Sequence, residues 1–345
     1  MSTRGDLAIE EVDPHDDATI TAWHAAIELA RRAETGDAAV VWTLPELTAN
    51  LRTPRPGRRV TAYVGRVEDQ VVVAGALEVP LLANLSSADL DVSVAPEHRR
   101  RGHGSAMLAH LEGLAAGLGR RRLNAEFSWP HDLGPDPAGT VGSDFATRHG
   151  YRFGLGDVQR ELRGHVGEAL LDELAAEAAP HHAAYELRAW TGPVPDDLVG
   201  AWLALDSTLD TEAPTGSIER EVGHADLGAH RGAEEVQRRQ GRTSLHCVAL
   251  TRDGGDLVAY SHLVTTLHEP DRGYQWGTLV RRDHRGHRLG LAVKVANHRL
   301  LQTEAPQVVR VSTWNAEENA AMIAVNERLG FVPVARLAEL QKTLA

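Results

Sequence analysis

His98-Arg99-Arg100-Arg101-Gly102-His103-Gly104-Ser105 and His284-Arg285-Gly286-His287-Arg288-Leu289-Gly290-Leu291 are two versions of one segment. Each follows a strand-like run (88–94 and 274–280) and precedes a run with helical spacing. Each is trailed by a Gly-aromatic pair, Gly150-Tyr151 and Gly330-Phe331. One Arg/Gly loop reads as a charged surface turn. Two in matching order indicate a tandem duplication around an anion-binding turn, in which glycines let several N–H groups point one way and a helix N-terminus adds its partial positive charge.

Working outward, the 345 residues suffice for two domains, and 42% hydrophobic with 24% charged residues is ordinary for a globular chain. A formal charge of −12 argues against a nucleic-acid partner and suits a cationic small substrate. Cys247 is the single cysteine, which excludes an intramolecular disulfide and a Cys-rich zinc site, and no histidine spacing suggests any other metal site. The first residues carry acidic side chains and no apolar leader, and no stretch is apolar enough to span a membrane, so a cytoplasmic protein is expected. Lys294 and Lys342 are the only lysines beside abundant Arg and Ala, a bias expected of a GC-rich bacterial genome.

The periodicities predict the same order of elements twice. In the first half these are a strand at 7–12, helices at 17–34 and from Thr43, strands at 59–67, 71–82 and 88–94, a helix at 104–118, a strand at 122–127, a short helix ending at His149 and a closing strand pair at 151–162. The second half repeats this from Tyr185. Its last helix is expected over 315–328, with Asn315 as N-cap and Glu317 and Glu318 in the first turn, and 331–344 form the closing strands. The expected division is a domain at 1–166, a linking helix within 167–184 and a domain at 185–345.

The order strand, Arg-x-x-Gly-x-Gly, helix, strand, helix, Gly-aromatic resembles the GNAT superfamily of acyl-CoA-dependent N-acetyltransferases, in tandem two-domain form. Val94 to Ser105 looks like that family's coenzyme A signature, and Phe145 to Tyr151 like its downstream helix-to-strand motif; Val280 to Leu291 and Met322 to Phe331 are the counterparts. The resemblance implies an α/β class: two GNAT-like domains, each a mixed, mostly antiparallel sheet flanked by helices, with splayed fourth and fifth strands. It implies acetyl-CoA as cosubstrate, lying between those strands. The coenzyme contacts would come from Val92, Ser93, Val94, Arg99, Arg100, Arg101, Gly102, His103, Gly104 and Ser105 in the first copy. In the second they would come from Leu279, Val280, Arg285, Gly286, His287, Arg288, Leu289, Gly290 and Leu291.

The copies differ. Arg288 stands where the first loop has Gly102, which makes the first loop the better phosphate cradle. The tyrosine that family members carry just before the Gly-aromatic pair is replaced by Ala146 and Asn326. For catalysis, Asp91 shares a strand face with Asp89 and Ser93, either as a base near the splay or as part of a solvated face. Asn319 and Asn326 share a helix face with Asn315, as a functional face or as a cap with solvated neighbours. The expected activity is direct attack of a small-molecule primary amine on the thioester, by a monomer or homodimer without nucleic-acid or membrane partners. A non-catalytic acyl-CoA-binding module and a protein or peptide N-acetyltransferase are the alternatives.

Overall fold

The computed structural model describes residues 6–212, 214–221 and 223–344. They form two compact units: 6–156 with 215–220 and 335–344, and 157–212 with 214, 221 and 223–334.

In the first unit the chain runs β1 (Ala8–Glu11), α1 (Asp17–Thr35), α2 (Leu44–Arg52), β2 (Arg58–Val67), β3 (Gln70–Pro80), β4 (Ser87–Ser93), α3 (His103–Gly117), β5 (Arg122–Pro130) and α4 (Val141–Arg148), then enters β6 (Arg152–Arg163). Asp16 caps α1 by accepting from the amides of Ala18 and Thr19. The same helix buries Ile20, Trp23, Ala26 and Ala30, and the Trp23 indole donates to the Gly75 carbonyl at 3.0 Å. On α3, Met107, Leu108, Leu111 and Ala115 form the buried stripe. Gly75 admits this helix: a Cβ there would lie 2.6 Å from the Met107 sulfur.

The second unit opens with α5 (Glu168–Ala178) and continues through β7 (Tyr185–Thr191), α6 (Val199–Asp206), α7 (Leu209–Glu212), α8 (Leu227–Arg239), β8 (Arg242–Thr251), β9 (Leu257–Thr266), β10 (Arg272–Val280), α9 (Leu289–Glu304), β11 (Arg310–Ala316) and α10 (Ala320–Arg328), then enters β12 (Val332–Thr343). Within the first unit the strand order is β1-β2-β3-β4-β5-β12, and within the second it is β7-β8-β9-β10-β11-β6. In both, the fourth and fifth strands are parallel and the other described pairs antiparallel.

The sixth strand of each sheet is the departure from sequence order. Residues 335–343 of β12 pair with β5 in the first unit, and residues 157–163 of β6 pair with β11 in the second. Each copy's closing strand therefore completes the other copy's sheet, where the sequence places residues 331–344 in the second domain. Ala338 and Leu340 are buried in the first core with Leu123, Phe127 and Tyr151. The closing strand pair expected at 151–162 is one continuous strand, β6. The expected linking helix, α5, buries Leu171, Leu174 and Ala178 in the second unit's core. Asn315 lies in β11, and the cap of α10 is Asn319, whose side chain accepts from the Met322 amide at 3.2 Å. Among the described residues no helix is long and apolar enough to cross a membrane.

Leu340→Ala should lower the stability of the first unit by about 2–5 kcal/mol, since it empties a core position. Urea unfolding followed by amide exchange across β5 measures this. A loss below about 1 kcal/mol would mean that the exchanged strand contributes little.

Candidate active site

The first site begins where β4 and β5 stop pairing. Their register runs only from Ser87 opposite Arg122 to Asp89 opposite Asn124. Beyond it, Leu90–Val94 and Ala125–Phe127 line opposite sides of a cavity of about 410 Å³. Backbone groups of a strand that has lost its neighbour need partners, so the opened edge of β4 can receive an extended arm as an added strand. Leu108, Phe145, Ala146, Tyr151 and Leu340 supply apolar lining.

Arg100, Gly102, His103, Gly104 and Ser105 form the mouth at the start of α3. Arg100 and Gly102 have positive φ, +62° and +92°, which turns the loop tightly into the helix. Arg100 and Arg148 line the cavity, are exposed, and have no ion-pair partner among the described residues. Two such guanidinium groups beside a helix N-terminus could hold a phosphate-bearing ligand. Ser105 Oγ lies 2.9 Å from Nε2 of His149, whose burial holds its pKa below the usual imidazole value.

Arg99 has a different job. Its Nε donates to the Val94 carbonyl at 2.8 Å and its guanidinium pairs with Glu34 at 3.1 Å. Arg285 repeats this on the Val280 carbonyl at 3.3 Å and on Glu212 at 2.8 Å. Both leading arginines, expected as coenzyme ligands, brace their loops against the preceding strand, and Arg99 also lines the cavity. Arg101 is exposed and outside the cavity lining. Val92, Ser93, Val94, His103, Gly104 and Ser105 lie in the cavity lining.

On the acceptor side, Asp91 is ion-paired with Arg31 and accepts from the Ser93 hydroxyl at 3.0 Å. Asp91 raises the Arg31 pKa further and so keeps it charged. Glu126 was not singled out by the sequence, because one carboxylate on a strand carries no motif. It lines the same cavity, faces Glu339 in the strand register, and has no hydrogen-bond or ion-pair partner among the described residues. Glu126 is exposed on one side, and desolvation by the cleft walls raises its pKa; Arg31 opposes this, and Asp91, Glu339 and Asp89 reinforce it. The Tyr151 hydroxyl donates to Glu112 at 3.1 Å, and its pKa is raised by burial and by that carboxylate.

The second copy's residues fall differently. Arg288 caps α9 at φ +52° and pairs with Glu177, as does Arg328. Leu289 and Leu291 are buried in the core, Gly290 packs near Val280, and His287 Nδ1 lies 3.2 Å from the His181 carbonyl. Leu279 lines another cavity of the second unit, beside Leu205 and Leu257. Asn326 is fully buried: it accepts from the Lys294 amine and donates to Asn315. Lys294 is itself buried, and desolvation pulls its pKa down to about 7.

A model for acetyltransferases of the GNAT family matches residues 23–131, which contain α1, the first loop and both splayed strands. Across its length the chain is similar to a tandem GNAT protein from the clavulanic acid biosynthesis pathway, with 28% identity, a TM-score of 0.78 and 98% of each chain covered. The chain carries a GNAT acetyltransferase domain within a tandem GNAT fold. The fold is shared with a GCN5-related N-acetyltransferase from Sphaerobacter thermophilus, at 14% identity and a TM-score of 0.64 over 98% of this chain and 95% of that one. A putative acetyltransferase from Pyrococcus horikoshii shares it at 11% identity and a TM-score of 0.57, covering 100% and 92%. No curated protein matches the chain. Family and tandem fold together support acyl transfer as the general activity.

The Lys294 shift predicts a pH dependence. Unfolded lysine keeps its proton to about 10.5, whereas the folded one releases it near 7. Between those values the unfolded state binds more protons, so this group makes stability rise with pH. Comparing urea unfolding of wild type and Lys294→Met at about pH 6.5 and about pH 9.5, wild type should gain relative to the variant at the higher pH. Parallel pH profiles would show that Lys294 stays charged in the fold.

Proposed function

We propose that the first copy is an acetyl-CoA-dependent N-acetyltransferase acting on the primary amine of a small molecule. The observation that carries this is one cavity joining a phosphate-suited loop to an unpaired carboxylate. The loop amides with Arg100 and Arg148 would hold the pyrophosphate, and the free edge of β4 the pantetheine arm. Acetyl-CoA supplies an activated acyl carbon. The amine attacks that carbon, a C–N bond forms and the C–S bond breaks, and the thiolate leaves.

Glu126 is the residue placed to take the proton from the incoming ammonium. A raised pKa makes it a better base, while Asp91 is already committed to Arg31. Asp89 and Glu339 give the same side a negative field, which favours a cationic acceptor. With Ala146 at the family's tyrosine position and Tyr151 engaged by Glu112, water protonates the thiolate. That absence of a phenol favours the second reading, an acyl-CoA-binding module without turnover. The protein is proposed to act as a monomer or homodimer in the cytoplasm.

Release of coenzyme A from acetyl-CoA across an amine panel tests the assignment. Glu126→Gln should lower kcat about 100-fold or more and leave the KM for acetyl-CoA within about threefold. Gly102→Glu, which puts a carboxylate and a strained left-handed residue into the loop, should remove acetyl-CoA binding. Tight binding without release for every amine would select the non-catalytic module.

A further inference from the structure

The two loops have the same backbone with two residue types exchanged. Arg100 and Gly102 take positive φ in the first copy, and Gly286 and Arg288 take it in the second, at +87° and +52°. The arginine has moved from the first left-handed position to the second, and its partner has changed with it. Arg100 has no ion-pair partner among the described residues, whereas Arg288 is held by Glu177. Arg148 and Arg328 stand at the same distance ahead of their Gly-aromatic pairs. Arg148 lines the first cavity without an ion-pair partner, and Arg328 donates to Glu177 at 3.0 Å. One carboxylate thus holds both cations that the second loop would offer a pyrophosphate.

The interior has changed in the same sense. Lys294 stands as far from Arg285 as Leu108 does from Arg99, and Asn326 as far ahead of Gly330 as Ala146 does of Gly150. The strand register, with Arg310 opposite Arg272 as Arg122 is opposite Ser87, sets Asn315 where the first copy has Phe127. Leu108, Phe127 and Ala146 all line the first cavity. Their counterparts are the hydrogen-bonded chain Lys294–Asn326–Asn315, with Lys294 and Asn326 fully buried. A buried chain of this kind is costly to break, because each member would be left unpaired in an apolar surround.

We infer that the second copy is a self-filled cleft, its interior closed by the Lys294–Asn326–Asn315 chain and its cationic loop neutralised by Glu177, so that the protein binds a single acetyl-CoA. This rests on the reading of the first cleft as the coenzyme site. Glu177 acts as an internal counter-anion, standing in electrostatically for the phosphates that the loop no longer receives.

Two titrations of the full chain test it. Calorimetry with acetyl-CoA should give one equivalent for wild type and none for Gly102→Glu. Two equivalents, or one that survives Gly102→Glu, would overturn the self-filled cleft. The second titration uses inorganic pyrophosphate in the Gly102→Glu background, where the first loop is blocked. There Glu177→Gln, which releases Arg288 and Arg328, should tighten binding at least about tenfold. No gain would overturn the inference even if the first loop holds acetyl-CoA. Absence of acetyl-CoA binding by wild type, together with a pyrophosphate gain in Glu177→Gln, would overturn the reading of the first cleft and with it the single equivalent, while the neutralised loop of the second copy would stand.

Discussion

The functional geometry depends on a short parallel contact, Ser87–Asp89 against Arg122–Asn124, after which the two strands part. A sheet cannot leave such a gap without either filling it or lining it with groups that can tolerate being opened. In the first copy the gap is lined and open, with apolar residues from α3 and α4 on one side and carboxylates on the other. The loop at its mouth is stiffened by Arg99, which ties the β4 exit to Glu34. The proposed placement of phosphate, thioester and amine rests on that separation.

The second copy answers the same constraint by filling. Its fourth and fifth strands also pair briefly, from Arg272 opposite Arg310 to Gln275 opposite Thr313, and a bulge between Gln275 and Gly277 marks where the register breaks. Polar residues then occupy positions that are apolar in the first copy. Because Lys294 loses solvation when buried, with its ammonium donating to Asn326 and lying over the Phe331 ring, its pKa falls. The asparagines that looked like a functional helix face are therefore a buried network and a cap: Asn326 joins Lys294 to Asn315, and Asn319 closes the start of α10.

Much of this was legible in the residues. The repeated Arg/Gly loops, the alternation at 88–94 and the stripe on α3 identified the elements and the left-handed loop that opens α3, because glycine conformations and apolar periods are local properties. Three features were not. Arg99 and Arg285 read as phosphate ligands, yet each is satisfied by a carboxylate far away in sequence, Glu34 and Glu212. Asn315 read as an N-cap, but strand pairing with Val158 extends β11 through it and moves the cap to Asn319. Glu126 carried no motif, and it matters only because β4 has left its side.

By itself the sequence determined that the chain is a duplication of a strand–loop–helix unit, that Gly102 and Arg288 stand at matching places in the two loops, and that both copies lack the family's tyrosine. Local chemistry suffices for those statements. Tertiary structure decided that each closing strand completes the other copy's sheet, which arginines stay unpaired, and which cleft is open. Those outcomes depend on pairings between residues distant in the chain: strand register, ion-pair partners and the desolvation of Lys294. None of these has a period or spacing that a linear reading can detect.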